Sequence, residues 1–191
     1  IPLPSEAQQK LHDLVGRLRQ IKAMHHEETC RLKQTDDRLI RDSIMALLSA
    51  LKEQISRIQK TIDATIKASS LLAHKYALLR SCKGIGPQSA QAILALLPEI
   101  GTINRKQIAA LVGVAPMTRK SGSCLDTAHI NGGRKTLRDI LYMASVTAAL
   151  SNPIFKQTYS RLRAKGKPAK VALTAVMRKM IVTLNAMLKA D

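Results

Sequence analysis

The sequence predicts an all-α protein, built as a long helical coiled-coil hairpin followed by a compact helical domain that contains a helix-hairpin-helix. Three observations predict it. Apolar residues recur at three- and four-residue spacing through positions 5 to 67. Beyond position 70, segments of helical length are punctuated by Pro and Gly where helices start and stop. Strand-like runs of β-branched and aromatic residues are sparse throughout.

The first helix is predicted over about residues 5 to 33, on the spacing of Leu11, Leu14, Leu18, Ile21, Met24 or His25, and Leu32. Ser5 with Gln8 three positions on has the pattern of a capping box. Asp36 or Asp37 offers the next N-cap. After it Ile44, Leu48, Leu51, Ile55, Ile58 and Ile62 alternate steps of four and three, with Lys, Arg, Gln and Glu between them. A seam that narrow is not satisfied by a lone helix. The two helices are expected to pair with each other, with another subunit, or with both.

The domain boundary is placed at residues 1–70 and 71–191. A short helix is expected to end near Ser81. Lys83-Gly84-Ile85-Gly86-Pro87 then forms a tight turn, in which Pro87 suits the first position of a helix running from Gln88 to Leu97 and stopping at Pro98. Two helices joined this way form a helix-hairpin-helix, whose turn presents backbone amides to a phosphate, with Lys83 beside it. The plain alternative is a connecting turn between packed helices. A helix from Asn104 to Val112 is predicted to expose Arg105 and Lys106, to bury Ile108, Ala109 and Leu111, and to end at Gly113. Periodicity then vanishes between residues 114 and 133, where Pro116, Gly122, Gly132 and Gly133 supply turn chemistry. Helices resume at about Lys135 to Leu150, Pro153 to Ala164 and Pro168 to Lys189.

The charge balance narrows the function. There are 31 Lys and Arg against 13 Asp and Glu, a net charge of +18 on 191 residues, with a pI near 10.3. With no run of five or six cations, the charge is spread along helices, as in a folded nucleic-acid binder and not a disordered basic tail. One Phe, three Tyr and no Trp leave few stacking platforms, so phosphate contacts are expected to dominate. Cys30, Cys82 and Cys124 lie far apart, which argues against a disulfide framework or a zinc site and fits a reducing cytoplasm. The longest apolar stretches run to about ten residues, short of the roughly 18 that span a bilayer. No membrane partner is expected. None of the five histidines has a partner at metal-ligand spacing. A chain opening at Ile1 is expected to be part of something longer.

The irregular segment is where chemistry is expected, carried by helices on both sides. Ser121 follows Arg119 and Lys120, precedes Gly122, and stands ten residues before Asn131-Gly132-Gly133-Arg134. A serine hydroxyl attacks a phosphodiester only with a base or cation at hand and with donors for the phosphoryl oxygens. Arg119, Lys120, Arg134, Lys135 and Arg138 are the nearby cations, and Gly122 lets a DNA backbone come close. On composition alone such a serine is more often an inert loop residue.

Several motifs in order change that balance: Lys83-Gly84-Ile85-Gly86-Pro87, Leu97-Pro98-Glu99-Ile100-Gly101, the run from Gln107 to Pro116, Ser121-Gly122, Gly132-Gly133-Arg134, Leu141-Tyr142-Met143-Ala144, Asn152-Pro153, and Gly166-Lys167-Pro168 followed by Met177-Arg178-Lys179. Together they resemble the transposase domain of bridge-RNA-guided insertion-sequence recombinases, which pair it with a RuvC-like DEDD domain. The resemblance covers nearly the whole chain and is most specific from Ser81 to Leu188. It implies that Ser121 attacks DNA and becomes covalently joined to a phosphate, with Ser123 as the nearby competitor. It implies nucleic-acid contacts at Lys83, Gly84, Gly86, Arg119, Lys120, Gly122, Arg134, Lys135, Arg138, Arg178 and Lys179. Basic faces at Arg161, Arg163, Lys165 and Lys167 would extend them.

Partners implied are DNA, a guide RNA, and further copies of the chain, as dimer or tetramer, through the coiled coil. The family's acidic cluster lies N-terminal to the coiled coil and has no counterpart here, since Asp36, Asp37 and Asp42 sit on or beside a heptad helix. No cofactor is therefore expected in this chain, which would be inactive alone, and Mg2+ is expected in the RuvC-like domain. The chain departs from the family at Leu125-Asp126-Thr127-Ala128, where similar proteins carry glycine and basic residues. A rival reading is a non-catalytic helix-hairpin-helix module that grips DNA or RNA backbone. Another is a structural coiled-coil protein with an incidental basic face.

Overall fold

A computed structural model describes residues 5–117 and 129–190, together with the backbone of 120–121 and 124–125. The described residues form eight helices and four two-residue strands, an all-α architecture as the sequence predicts. The chain divides into two compact units, Pro2–Ala73 and His74–Asp191. No described helix is long and apolar enough to cross a membrane.

The first unit is an α-hairpin. Helix α1 spans Glu6–Leu32 and α2 spans Arg38–Ala68. Each begins at a side-chain cap: Ser5 Oγ accepts from Gln8 N at 3.2 Å, and Asp37 Oδ1 accepts from Ile40 N at 3.0 Å. Arg41 fastens the short turn between them by donating to the carbonyls of Leu32 and Thr35. Leu11, Val15, Leu18 and Ile21 are the buried residues of α1, and Leu48, Leu51, Ile62, Thr65 and Ile66 those of α2. Val15 takes a place in the core that the periodicity gives to Leu14, which is half-buried, and Met24 is exposed. Leu14 and Val15, at i+3 and i+4 from Leu11, both flank the same helix face, and spacing alone does not choose between them.

Within the second unit, helices α3 (Ser70–Ser81, which straddles the division), α4 (Pro87–Leu96), α5 (Arg105–Val112), α6 (Lys135–Ser151), α7 (Pro153–Ala164) and α8 (Ala169–Met187) follow in order. Local signals set most of their ends. Pro87 and Pro153 occupy first helical positions. Asn104 and Gln107 form a reciprocal capping box, and Gly113 ends α5 in the left-handed conformation. In α5 the buried residues are Ile108, Ala109 and Val112, so Val112 replaces the expected Leu111, which is half-buried.

Helices α6 and α8 are the hub: α6 packs against α4, α5, α7 and α8, and α8 against α5, α6 and α7. Small residues make the close packing on α6 possible, with Ala144, Ser145, Ala148 and Ala149 all buried. Gly84 in the α3–α4 turn has φ +108°, and a Cβ there would overlap Ala148 of α6. From α8, buried Asn185 accepts from Gly101 N at 2.9 Å and donates to Ile103 O at 2.8 Å, which fixes the turn between α4 and α5.

Between α5 and α6 the structure adds two ribbons that the sequence does not announce. Strand β1 (Pro116–Met117) pairs antiparallel with β4 (His129–Ile130), and β2 (Lys120–Ser121) with β3 (Cys124–Leu125). Two-residue ladders are too short to show alternation in sequence.

Truncating Leu18, 6% exposed, to Ala should lower hairpin stability by roughly 2–5 kcal/mol. The same change at Leu39, 80% exposed, should fall within about 0.5 kcal/mol. Urea unfolding followed by circular dichroism checks both; equal effects would contradict this core assignment.

Candidate nucleic-acid interface and serine loop

The serine loop is rooted where two chain segments cross. Gly113 N–H closes α5, and the returning chain passes so near that a Cβ on Gly113 would overlap Gly132 O, and one on Gly133 would overlap Gly113 N. Both positions have positive φ, +78° and +66°, so only glycine meets both demands. Above the crossing, Pro116 pairs with Ile130 and Met117 with His129. Farther out, Ser121 lies opposite Cys124 at the end of β2. Ser121 is four residues along the chain from Met117, which bounds the two Cα atoms to within about 14 Å. Arg119, Gly122 and Ser123 lie outside the described residues, as do the side chains of Lys120 and Ser121.

Arg134 anchors this root. Its backbone N–H donates to Leu111 O at 2.9 Å, holding the returning chain to α5. Its guanidinium donates to Leu96 O at 2.6 Å and, bidentately, to Glu99 at 2.6 and 2.8 Å. The Glu99 side chain is only 12% exposed. The Arg134 hydrogen bond holds its carboxyl below the usual glutamate range, with burial opposing in part.

Several other predicted cations also have local partners. Lys135 Nζ meets Asp139 at 2.7 Å along α6, Arg138 Nη1 donates to Gly132 O, and Lys179 Nζ donates to Thr158 Oγ1 at 2.9 Å. Lys83 is exposed, with its carbonyl accepting from Asn152 Nδ2 at 3.1 Å, so the α3–α4 turn is braced by the start of α7. Gly86 is the N-cap of α4 and makes no side-chain cap. Burial raises the Cys82 thiol above its ordinary value, which leaves it a poor nucleophile.

Arg138 and Arg178 are brought together on one cleft of about 680 Å3, walled by α6, α8 and the β1–β4 ribbon. Lys170, Tyr142 and His129 also line it, none of them among the site residues to which the sequence points. A periodic signal was present: Lys170, Thr174 and Arg178 stand at i, i+4 and i+8 on α8, and Arg138 and Tyr142 at i and i+4 on α6. After Asp139 the chain has nine Lys and Arg before its next acidic residue, Asp191. The exposed residues Arg161, Arg163, Lys165, Lys167 and Lys170 gather around the α7–α8 turn. Among the described residues, no three His, Cys, Asp or Glu side chains come together as metal ligands.

Residues 76–160 match the family model described as "Transposase IS116/IS110/IS902 family". The "Insertion element IS110 uncharacterized 43.6 kDa protein" of Streptomyces coelicolor is 29% identical over 150 residues, which cover 77% of this chain and 36% of that protein. The "Pilin gene-inverting protein" of Moraxella bovis is 27% identical, and that of Moraxella lacunata 26%, each over 143 residues covering 73% of this chain and 44% of the relative. The chain therefore spans less than half the length of these curated relatives.

The Glu99–Arg134 pair carries a pH signature. A carboxyl depressed in the folded state adds stability that is present above its unfolded value, about 4.3, and is lost as pH falls through the lower folded value. Glu99→Gln should cost about 1–3 kcal/mol at neutral pH. Its deficit against wild type should narrow as the solution is taken from neutral pH to acid below the unfolded value. Thermal unfolding at the two pH values measures this, and a deficit unchanged in acid would assign it to packing instead of the carboxylate.

Proposed function

We propose that this chain is the DNA-joining part of an insertion-sequence transposase or recombinase, with Ser121 as the nucleophile. In this reading Ser121 Oγ forms a new bond to a DNA phosphorus, the bond to a deoxyribose oxygen breaks, and that oxygen leaves with a proton. The family model spans Ser121 and the root of its loop, and one kind of relative is named for inverting a gene. The observation that supports the reading is that the chain carrying Ser121 leaves and rejoins the fold at the Gly113–Gly133 crossing, where Pro116 and Ile130 pair and line a cleft together with Arg138 and Arg178. Cations in that cleft suit a polyanion whose backbone passes the serine.

The finer points of the proposal rest on the resemblance. A guide RNA would choose the DNA, and a RuvC-like domain elsewhere in the full protein would supply acidic residues and magnesium. The α3–α4 turn would act as a helix-hairpin-helix on backbone phosphates, with Lys83 beside it. The protein would work in the cytoplasm, on nucleoid DNA.

The test is a denaturing-gel search for a covalent protein–DNA adduct, made with full-length protein, guide RNA and magnesium. An adduct that disappears in Ser121→Ala while DNA binding persists is the expected result. An adduct surviving the substitution would move the chemistry to Ser123 or elsewhere. No adduct from either protein, under conditions where a known serine recombinase gives one, would favour the non-catalytic binding module.

Self-association through the hairpin is a separate part of the proposal. Leu51 is 4% exposed within the hairpin, so replacing it would damage the monomer. Ile40 and Leu47, 50% and 43% exposed on α2, are the better probes. Ile40→Asp with Leu47→Asp should lower the mass seen by light scattering without loss of helix signal; an unchanged mass would count against assembly through this face.

A further inference from the structure

The cleft between α6 and α8 is not simply basic. Val114 and Met177 at its base are each 1% exposed, while apolar Ile130 and Val171 remain 37% and 51% exposed in its walls. Exposed Lys170 and Arg178 have no acidic partner among the described residues. The acid in the lining, Asp139, is already held by Lys135. Half-buried Tyr142 adds an aromatic face in a chain that has only three Tyr and one Phe, and that Phe, Phe155, is 2% exposed.

These features ask for a ligand that is apolar and planar in one part and anionic in another. A duplex backbone supplies the anion alone. An unpaired nucleotide supplies both, with its base against Tyr142 and the aliphatic wall and its phosphates on Arg178 and Lys170. The volume lies within the roughly 300–1,000 Å3 of pockets that enclose a molecule of this size.

We infer that this cleft receives a nucleobase extruded from, or left unpaired in, the DNA on which Ser121 acts. The inference rests on the proposed DNA-joining role and adds a subsite to it. The cleft wall at Pro116 lies within about 18 Å of Ser121 by chain length. At about 3.4 Å of rise per nucleotide, the held base lies about five steps or fewer from the scissile phosphate. Holding an unpaired base there would keep the strand beside it from re-pairing while the covalent joint exists. A base already mismatched or bulged would enter most readily, because its unstacking cost is lowest.

The experiment uses full-length protein with EDTA present, so that binding is read without strand cleavage. A fluorescein-labelled duplex carrying one bulged 2-aminopurine is compared with the same duplex carrying an abasic tetrahydrofuran at the bulge. The base-containing duplex should bind on the order of tenfold more tightly. Ala175→Trp, which fills the cleft from α8, should erase that preference while leaving affinity for the abasic duplex unchanged. Should that variant fail to fold, Tyr142→Ala tests the same point from α6 and should also erase the preference. Arg178→Gln should weaken both duplexes alike. Equal affinity of wild type for the two duplexes overturns the inference, and so does a preference that survives in folded Ala175→Trp or in Tyr142→Ala. Ser121→Ala should keep the base preference. A missing adduct with the preference intact thus rejects the serine and spares the cleft, and the reverse result does the opposite.

Discussion

The second unit depends on one bidentate ion pair. Arg134 stands at the N-cap of α6, yet its guanidinium reaches Glu99 and Leu96 beyond the end of α4 while its amide holds Leu111 on α5. Three helix ends that are separate in sequence meet at one planar cation. A lysine has the charge but lacks the fork that makes two parallel bonds to a carboxylate and still reaches a carbonyl. Because Glu99 is mostly buried, loss of either partner would leave a charge poorly solvated, so the pair fixes geometry more than it adds net stability. The crossing of the serine loop sits directly on this junction, so whatever the loop does is done from a fixed base.

The electrostatics sort the cations into two kinds. Arg134, Lys135, Arg138 and Lys179 make contacts inside the fold, and their charges help to orient helices and turns. Lys170, Arg178 and the cluster around the α7–α8 turn stand in a stretch with no carboxylates, where mutual repulsion raises the free energy of the unliganded protein. Neutralisation by a polyanion relieves that repulsion. This gives a physical reason for the proposed nucleic-acid affinity that does not depend on any single contact, and it would make that affinity sensitive to salt.

How much was legible follows from how local each signal is. The caps at Ser5, Asp37 and Asn104, the prolines at 87 and 153 and the αL glycine at 113 act within four residues, and they placed helix ends nearly where they occur. The buried faces were read almost as well, with single-residue shifts at Val15 and Val112, where neighbouring apolar residues flank the same face. Arg134 was read only as a phosphate ligand because its partner lies 35 residues earlier, a distance no periodicity spans. The ribbons escaped notice because their pairing runs across an irregular segment. Ser121 owes its prominence to the resemblance, since nothing in its immediate chemistry separates it from an ordinary loop serine. The cleft was half visible: its arginines were singled out for charge, whereas Tyr142 and Lys170 belong to it only once α6 and α8 are packed together.

The crossing at Gly113 and Gly133 also bears on how such a protein can change over generations. Chain enters and leaves the serine loop through one pinched neck, and the first ribbon joins its two limbs just above. Residues inserted or lost beyond Met117 and before His129 alter only the length of a loop whose ends are already together. Such changes cost little, about 0.6 kcal/mol for each doubling of loop length, and do not pass to the helices. The neck thus separates inheritance of the scaffold from variation in the segment beyond it, and residues such as Leu125 to Ala128 could change while the helical frame stays the same.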